Sequence, residues 1–301
     1  MTSSRIDLHL HSTCSDGVES PTRVMEVARE QRLDVVSLTD HDTTAGWDEA
    51  RAACARLGMT FVPGIELSAS LDGDSVHLLG YLVDPEFPDL VEEATKTKDD
   101  RVWRFESMVE KINADIAGLT PEFVYTFHTE GGTLGRPTIA RALVELGVVA
   151  TVSEAFDEIL APDNDRYFVG HYAPTIERAI EVVVAAGGVP VFAHPWTADR
   201  ASLASPDLSN EAIDAKFGAL VDIGLAGLEV HHEENTSVGR TRLTAIAAHY
   251  DLIITGSSDY HGDGMKPVLP GHHTTAPEMF ERIAESGTGS AISWAASTTQ
   301  K

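Results

Sequence analysis

This sequence predicts an α/β fold built on a mostly parallel sheet, more readily a barrel than an open sheet. Three observations lead there. Short apolar, β-rich runs alternate with helical patterns along most of the 301 residues, the rhythm of strand–helix–strand units. Seven such runs can be read, which favours a barrel. Ionisable side chains gather where these runs end, as catalytic groups do at the C-terminal rim of barrel enzymes.

The first strand is read at 6–11, where side chains alternate between faces: Asp7, His9 and His11 on one, Ile6, Leu8 and Leu10 on the other. Further strands are read near 35–40, 60–69, 76–83, 189–194, 227–232 and 252–258. A helix at 21–32 opens with Ser20-Pro21, a cap and a first helical residue, and another at 44–57 stops at Gly58. Helices near 175–186, 209–223 and 237–249 follow the same alternation. The rhythm breaks from 86 to 170, where helical stretches at 89–117, 137–146 and 152–160 come without a strand. The chain therefore reads as a first barrel part at 1–85, a helical insertion (substrate-capping) domain at 86–170, and a second barrel part at 171–301. The tail "SWAASTTQK" is expected to fray.

The net charge of -25, from 47 acidic and 22 basic side chains, opposes binding to duplex nucleic acid or anionic membranes, which need a basic surface. Only two cysteines, Cys14 and Cys54, no signal-peptide pattern after Met1, and no apolar run near the ~20 residues of a membrane span point to the cytoplasm. A phosphate-bearing substrate would have to meet local positive charge, and 13 histidines suggest metal ions as its source. Lys96, Lys98, Arg101 and Arg104 offer a basic strip on the insertion or simply decorate a solvated helix. Oligomeric state is not legible.

The residues at the strand ends carry the chemistry. His9 and His11 lie on the first strand, with Asp16 in the loop after it; "SLTDHD" supplies Asp40, His41 and Asp42. "VPGIELS" places Glu66 in an apolar setting, and "VHLLG" supplies His77. "VFAHP" ends in His194, "LEVHHEEN" carries Glu229, His231 and His232, and "TGSSDYHG" carries Asp259 and His261. Taken singly, each has a plain reading as a core or loop residue. Together, burying so many titratable groups costs several kcal/mol each unless they are paired or bind metal.

"DLHLHSTCSDG", "SLTDHDT", "VPGIELS", "VHLLGY", "VFAHP" and "GSSDYHG" together resemble the polymerase-and-histidinol-phosphatase (PHP) family of metal-dependent phosphoesterases. "GRPTIARALVELG" and "AAGGVPVFAHP" resemble its branch of nucleoside 3′,5′-bisphosphate phosphatases and 5′-to-3′ exonucleases. The resemblance implies a distorted seven-stranded (β/α) barrel and two to three divalent ions, with Mn, Fe or Zn suiting mixed imidazole and carboxylate donors. It places His9, His11, Glu66 and Asp259 on a first ion, Glu66, His77 and His194 on a second, and Asp16, His41 and His261 on a third. Glu66, His194, Asp259 and His261 are then the catalytic core. Asp7 and Asp40 are expected to orient ligand histidines.

The resemblance also gives Arg136 a phosphate-gripping role. It puts Thr138 where the branch has a histidine, and so leaves phosphate grip or specificity open at that position. Only one of His231 and His232 is expected to face the pocket, since neighbours on a strand point opposite ways, and His232 is assigned with Arg136 and Thr138 to binding the substrate phosphate. The implied reaction is attack of ion-activated water on phosphorus. The implied substrate is a nucleoside 3′,5′-bisphosphate or a short 5′-phosphorylated oligonucleotide. Alternatives at this stage are a histidinol-phosphate-type phosphatase, an amidohydrolase that cleaves C–N bonds, and a non-catalytic metal- or nucleotide-binding regulator.

Overall fold

The computed structural model describes residues 4–127, 134–161, 164–170, 172–197, 203 and 208–296. By Cα packing the chain forms two compact units, one of Met1–Ala94 with Ala173–Lys301, the other of Thr95–Tyr172.

The larger unit holds a seven-stranded sheet: β1 Ile6–Asp7, β2 Val35–Leu38, β3 Thr60–Leu71, β4 Asp74–Tyr81, β5 Val189–Ala193, β6 Gly227–His231 and β7 Ile253–Gly256. Its helices are α1 Pro21–Glu30, α2 Trp47–Leu57, the start of α3 Pro88–Asn113, and α7 Ile176–Ala185, α8 Asn210–Asp222, α9 Ser237–His249 and α10 Pro277–Ser286. The smaller unit contains the rest of α3 with α4 Pro121–Tyr125, α5 Arg136–Glu145 and α6 Val152–Glu158. The division thus falls inside α3, whereas the sequence reading placed it ahead of that helix. Side chains cap the helices as their residue types allow: Ser20, Thr175, Ser209 and Thr236 each accept an N–H of the first turn.

Strands pair in chain order from β1 to β7. Pairing is parallel across β1–β2–β3 and β5–β6–β7, but β4 is antiparallel to both of its neighbours. The cause is local. Asp72 and Gly73 both adopt positive φ (54° and 93°) and form a two-residue hairpin between β3 and β4, the turn that an Asp-Gly pair favours. The sheet nearly closes beyond its first strand. His11 N–H donates to Tyr260 O at 2.9 Å and Asp259 N–H donates to His9 O at 3.0 Å, joining the segment after β1 to the segment after β7.

Regular pairing in β1 stops at Asp7, so the strand is shorter than the 6–11 expected; the following residues are held by these closing bonds and by Thr39 N–H to Leu10 O. The tail differs too. Ser293 pairs with Phe61 through two backbone hydrogen bonds of 2.9 Å, while 297–301 lie outside the described residues.

Two apolar clusters support the sheet. Ile6, Leu8, Val62, Leu79, Tyr81 and Val191 belong to one, while Leu38, Phe61, Phe192, Phe217 and Leu228 belong to the larger one between strands and helices. The smaller unit has its own core, including Phe105, Val109, Ile112, Ile139 and Leu143.

Candidate metal centre

His9, His11, His41, His194, Asp259 and His261 lie beyond the C-terminal ends of parallel strands, Glu66 and Glu229 lie within β3 and β6, and β4, running the other way, carries His77 in its first half. That reversal aligns His77 with Ser68 of β3 and Ala193 of β5, beside His194. All nine residues singled out in the sequence meet there, around one carboxylate. Glu66 is 1% exposed; its Oε2 lies 3.0 Å from Nε2 of both His9 and His11 and 3.4 Å from His41 Nδ1. Its Oε1 lies 3.0 Å from His77 Nδ1 and 3.3 Å from His194 Nε2. Asp259 Oδ1 is 3.5, 3.2 and 3.4 Å from nitrogens of His9, His11 and His261. Asp16 reaches His11, His41 and His261 at 3.5, 3.6 and 3.3 Å.

The donor atoms suit cations rather than hydrogen bonds among themselves. His9 Nδ1 lies 2.9 Å from Glu229 Oε1; a carboxylate only accepts, so the ring proton sits on Nδ1 and the lone pair on Nε2. That lone pair faces His11 Nε2 at 3.0 Å, a contact that needs a proton or a cation between the rings. His261 Nδ1 likewise meets a carbonyl, Asp259 O, at 2.9 Å, leaving Nε2 toward Asp16. Nδ1 of His11, His41 and His77 is buried without a well-directed hydrogen-bond partner.

Three groups have ligand atoms within 4.8 Å of one another: His9, His11, Glu66 and Asp259; His11, Asp16, His41 and His261; and His41, Glu66 and His77. The grouping is denser than the sets drawn from sequence, since His11 and His41 each join two groups. His194 borders the third group through Glu66 and an edge-on ring contact of 5.3 Å with His77.

Electrostatics follow from this crowding. Burial opposes ionisation of Glu66 and Asp259, yet the surrounding imidazoles, His9 foremost, hold both well below the ordinary carboxylate range. Asp16 is lowered against burial by His41, His261 and His11. Burial alone would lower His9 and His11, but Glu66, Glu229 and Asp259 raise His9 well above its ordinary value, and bonds to Asp259 and Glu66 raise His11 to about 10. His41 and His194 are lowered, chiefly by burial. Without ions, protons on His9 and His11 neutralise the carboxylates.

The backbone is bent to present these groups. His194 and Asp259 have positive φ of 27° and 53°, a conformation uncommon outside glycine that is stored at functional sites.

Residues around the cluster behave differently from expectation. Asp7 accepts N–H groups of His9, Ser258 and Gly271 and the Ser258 hydroxyl, and Asp40 accepts from Ser12 and Ser15. Both therefore brace loops instead of a histidine ring. Burial pushes the Asp7 carboxyl up to about 6. The carboxylate that does orient ligand residues is Glu229, fully buried. It takes the His9 Nδ1 proton through Oε1 and the backbone N–H of His194 through Oε2 at 2.9 Å, and Ser257 Oγ donates to it as well. Its only sequence signal was a charged residue in the middle of an apolar strand.

The register of β6 against β7 shifts between Glu229 and His231. That bulge breaks strict alternation, so Glu229 and His232 are both turned inward while His231 is exposed. His232 accepts Glu234 N–H at Nδ1 (3.1 Å), and its Nε2 lies 3.3 Å from Asp259 Oδ2. Lys266, which sequence reading passed over, pairs with Asp259 and with Glu234 Oε1 (3.1 Å).

The PHP domain family model matches residues 7–160, from Asp7 through "SLTDHDT" and Glu66 to His77 and beyond. The chain belongs to the PHP family. It is 31% identical over 280 residues to a 3′,5′-nucleoside bisphosphate phosphatase of Chromobacterium violaceum, covering 92% of this chain and 94% of that one. It is also 31% identical over 257 residues to a 5′-3′ exoribonuclease of Haemophilus influenzae, covering 85% and 90% respectively. A solved structure from Bifidobacterium adolescentis, described as a metal-dependent phosphoesterase, superposes with a TM-score of 0.80 at 37% identity, over 94% of this chain and 96% of that one. This PHP protein is accordingly a metal-dependent phosphoesterase, a hydrolase on an α/β, nearly closed seven-stranded barrel. No described helix is long and apolar enough to cross a membrane.

In the smaller unit of this PHP protein, Arg136 opens α5. Its guanidinium donates to Leu160 O at 3.3 Å and sits over the Phe156 ring. Thr138, in the same first turn, is buried with Ile139 and Ala140.

Proposed function

We propose that this protein hydrolyses phosphoesters of small nucleotides, with nucleoside 3′,5′-bisphosphates as preferred substrates and short 5′-phosphorylated oligonucleotides as the second class. The supporting observation is the Glu66-centred cluster, in which six imidazoles and three carboxylates converge and Nδ1 of His11, His41 and His77 has no well-directed hydrogen-bond partner. Similarity to a nucleoside bisphosphate phosphatase and an exoribonuclease over most of the chain supports the substrate class. An acidic chain, -25 overall, suits small substrates better than duplexes, which need many basic contacts.

In this reading His9, His11, Glu66 and Asp259 would hold one divalent ion, Glu66, His77 and His194 a second, and Asp16, His41 and His261 a third, each imidazole giving one lone pair. When bound, such ions lower the pKa of water and neutralise charge on phosphoryl oxygens. The chain's own groups do the rest. Glu229 keeps the His9 proton on Nδ1, so that Nε2 stays a lone-pair donor. His232, whose Nδ1 accepts a backbone N–H, carries its neutral-state proton on Nε2 and is the group assigned to the leaving oxygen. Arg136 is assigned, on the family resemblance, to grip a substrate phosphate.

A phosphate-release panel with Mn²⁺ tests the substrate assignment. Adenosine 3′,5′-bisphosphate should give the highest kcat/KM, 5′-phosphorylated di- and trinucleotides should be turned over, and histidinol phosphate should trail. A panel led by histidinol phosphate would reject the nucleotide reading.

A further inference from the structure

Outside the Glu66 cluster, one more group of ligand atoms among the described residues lies within 4.8 Å of one another: Glu233, His272 and His273. None of the three belongs to the centre described above. Glu233 Oε2 is 3.2 Å from His272 Nε2 and 3.4 Å from His273 Nε2, and the two rings meet edge to face at 4.8 Å. His273 Nε2 is shielded from solvent yet has no well-directed hydrogen-bond partner. Burial also lowers the His273 pKa, which favours the neutral ring that a metal requires.

We propose that Glu233, His272 and His273 form a peripheral site for one divalent transition ion of the zinc class, bound through two imidazoles and one carboxylate. Such a donor set suits zinc and leaves a coordination position for solvent.

The backbone holds the three ligands in advance. His272 and His273 are fixed on both sides: Gly271 N–H donates to Asp7 at 2.6 Å, and Thr275 N–H donates to Ile6 O at 2.9 Å. Glu233 is flanked by buried His232 and by Asn235, whose amide donates to Glu229 O and Val230 O, while Arg240 donates to His232 O. The ligands therefore converge from two anchored loops, the one between β6 and α9 and the one between β7 and α10. An ion there cross-links the loop bearing His232 to the loop bearing Lys266, both of which reach Asp259. Its role is to fix the rim beside the catalytic cluster without taking part in hydrolysis.

The test counts zinc, not turnover. Full-length protein stripped with a chelator is titrated with Zn²⁺ against a chromophoric competitor, for wild type, the double variant His272→Asn/His273→Asn, and Glu233→Gln. Wild type should bind one equivalent more than the double variant. In Glu233→Gln that equivalent should bind at least tenfold more weakly, and the metal-free unfolding midpoint should be unchanged. Equal zinc content and affinity in all three proteins would overturn the proposal. Since no phosphate is measured, that result would leave the substrate reading untouched; if the double variant unfolds, Glu233→Gln alone decides the matter.

Discussion

Nε2 of His9 and Nε2 of His11 lie 3.0 Å apart, with the same Glu66 oxygen 3.0 Å from each. Two aromatic nitrogens and a carboxylate oxygen at that spacing form a closed triangle that only a proton or a cation can fill. On the function proposed above, the protonated form is that of metal-free protein and the cation-filled form that of the working enzyme.

Exchange of proton for metal has a pH signature. In the folded, metal-free chain His9 is raised well above 6.5 and His11 is raised to about 10, the carboxylates outweighing burial. Groups raised on folding contribute stability that is complete below their unfolded value and is lost as pH rises toward the folded one. Chelator-treated protein should therefore lose stability between pH 6.5 and 10, and saturating Mn²⁺ should flatten that slope, because the ligands are then deprotonated already. Urea midpoints across this range measure it. A flat profile without metal would reject the coupling.

Glu229 acts through His9 and His194. Replacing Glu229 with Gln leaves a group of the same shape but removes the charge that fixes the His9 Nδ1 proton. Metal affinity should fall by about 10- to 100-fold, the usual loss when a ligand's hydrogen-bond partner is changed, with the far-UV spectrum unaltered. Competition titration with Mn²⁺ reads this directly, and an unchanged affinity would assign Glu229 to the fold alone.

Trp196 follows His194 on the same loop and packs on α9. A Cβ at Gly239 would lie 2.4 Å from the indole, so Gly239→Ala forces Trp196 to move. Overpacking of this kind costs about 1–3 kcal/mol. Chemical denaturation should show that loss; a neutral substitution would mean the indole has room to shift.

Phe217 on α8 is fully buried, its ring 6.3 Å from that of Phe192 on β5. Phe217→Ala should cost about 3–5 kcal/mol, measured by the same denaturation, since it opens a cavity between the sheet and its covering helix.

Much of this was legible in the sequence because it rests on local pattern. Seven apolar runs became seven strands, and the nine polar residues at their ends converge since a barrel brings strand ends together. What escaped depends on exceptions to periodicity. Asp72-Gly73 carried a hairpin signal that reverses β4, and that reversal is why His77 reaches the rim from the start of its strand. Ala276-Pro277-Glu278 opens α10 with a proline at the first position, a start signal that went unread. The bulge after Glu229 cannot be seen in alternation, so the sequence named His232 without the register shift that turns it inward beside Glu229. Asp7 and Asp40 are likewise bound by residues remote in sequence, Ser258 and Gly271 for one and Ser12 and Ser15 for the other.

Metal content per chain, measured by elemental analysis alongside phosphate release, bears most directly on the Glu66-centred cluster. Wild type reconstituted with Mn²⁺ should hold two to three ions and release phosphate, and Glu66→Gln should lose both while remaining folded. Full turnover in Glu66→Gln, or full turnover in wild type after its ions are removed, would contradict a metal-dependent centre built on that residue.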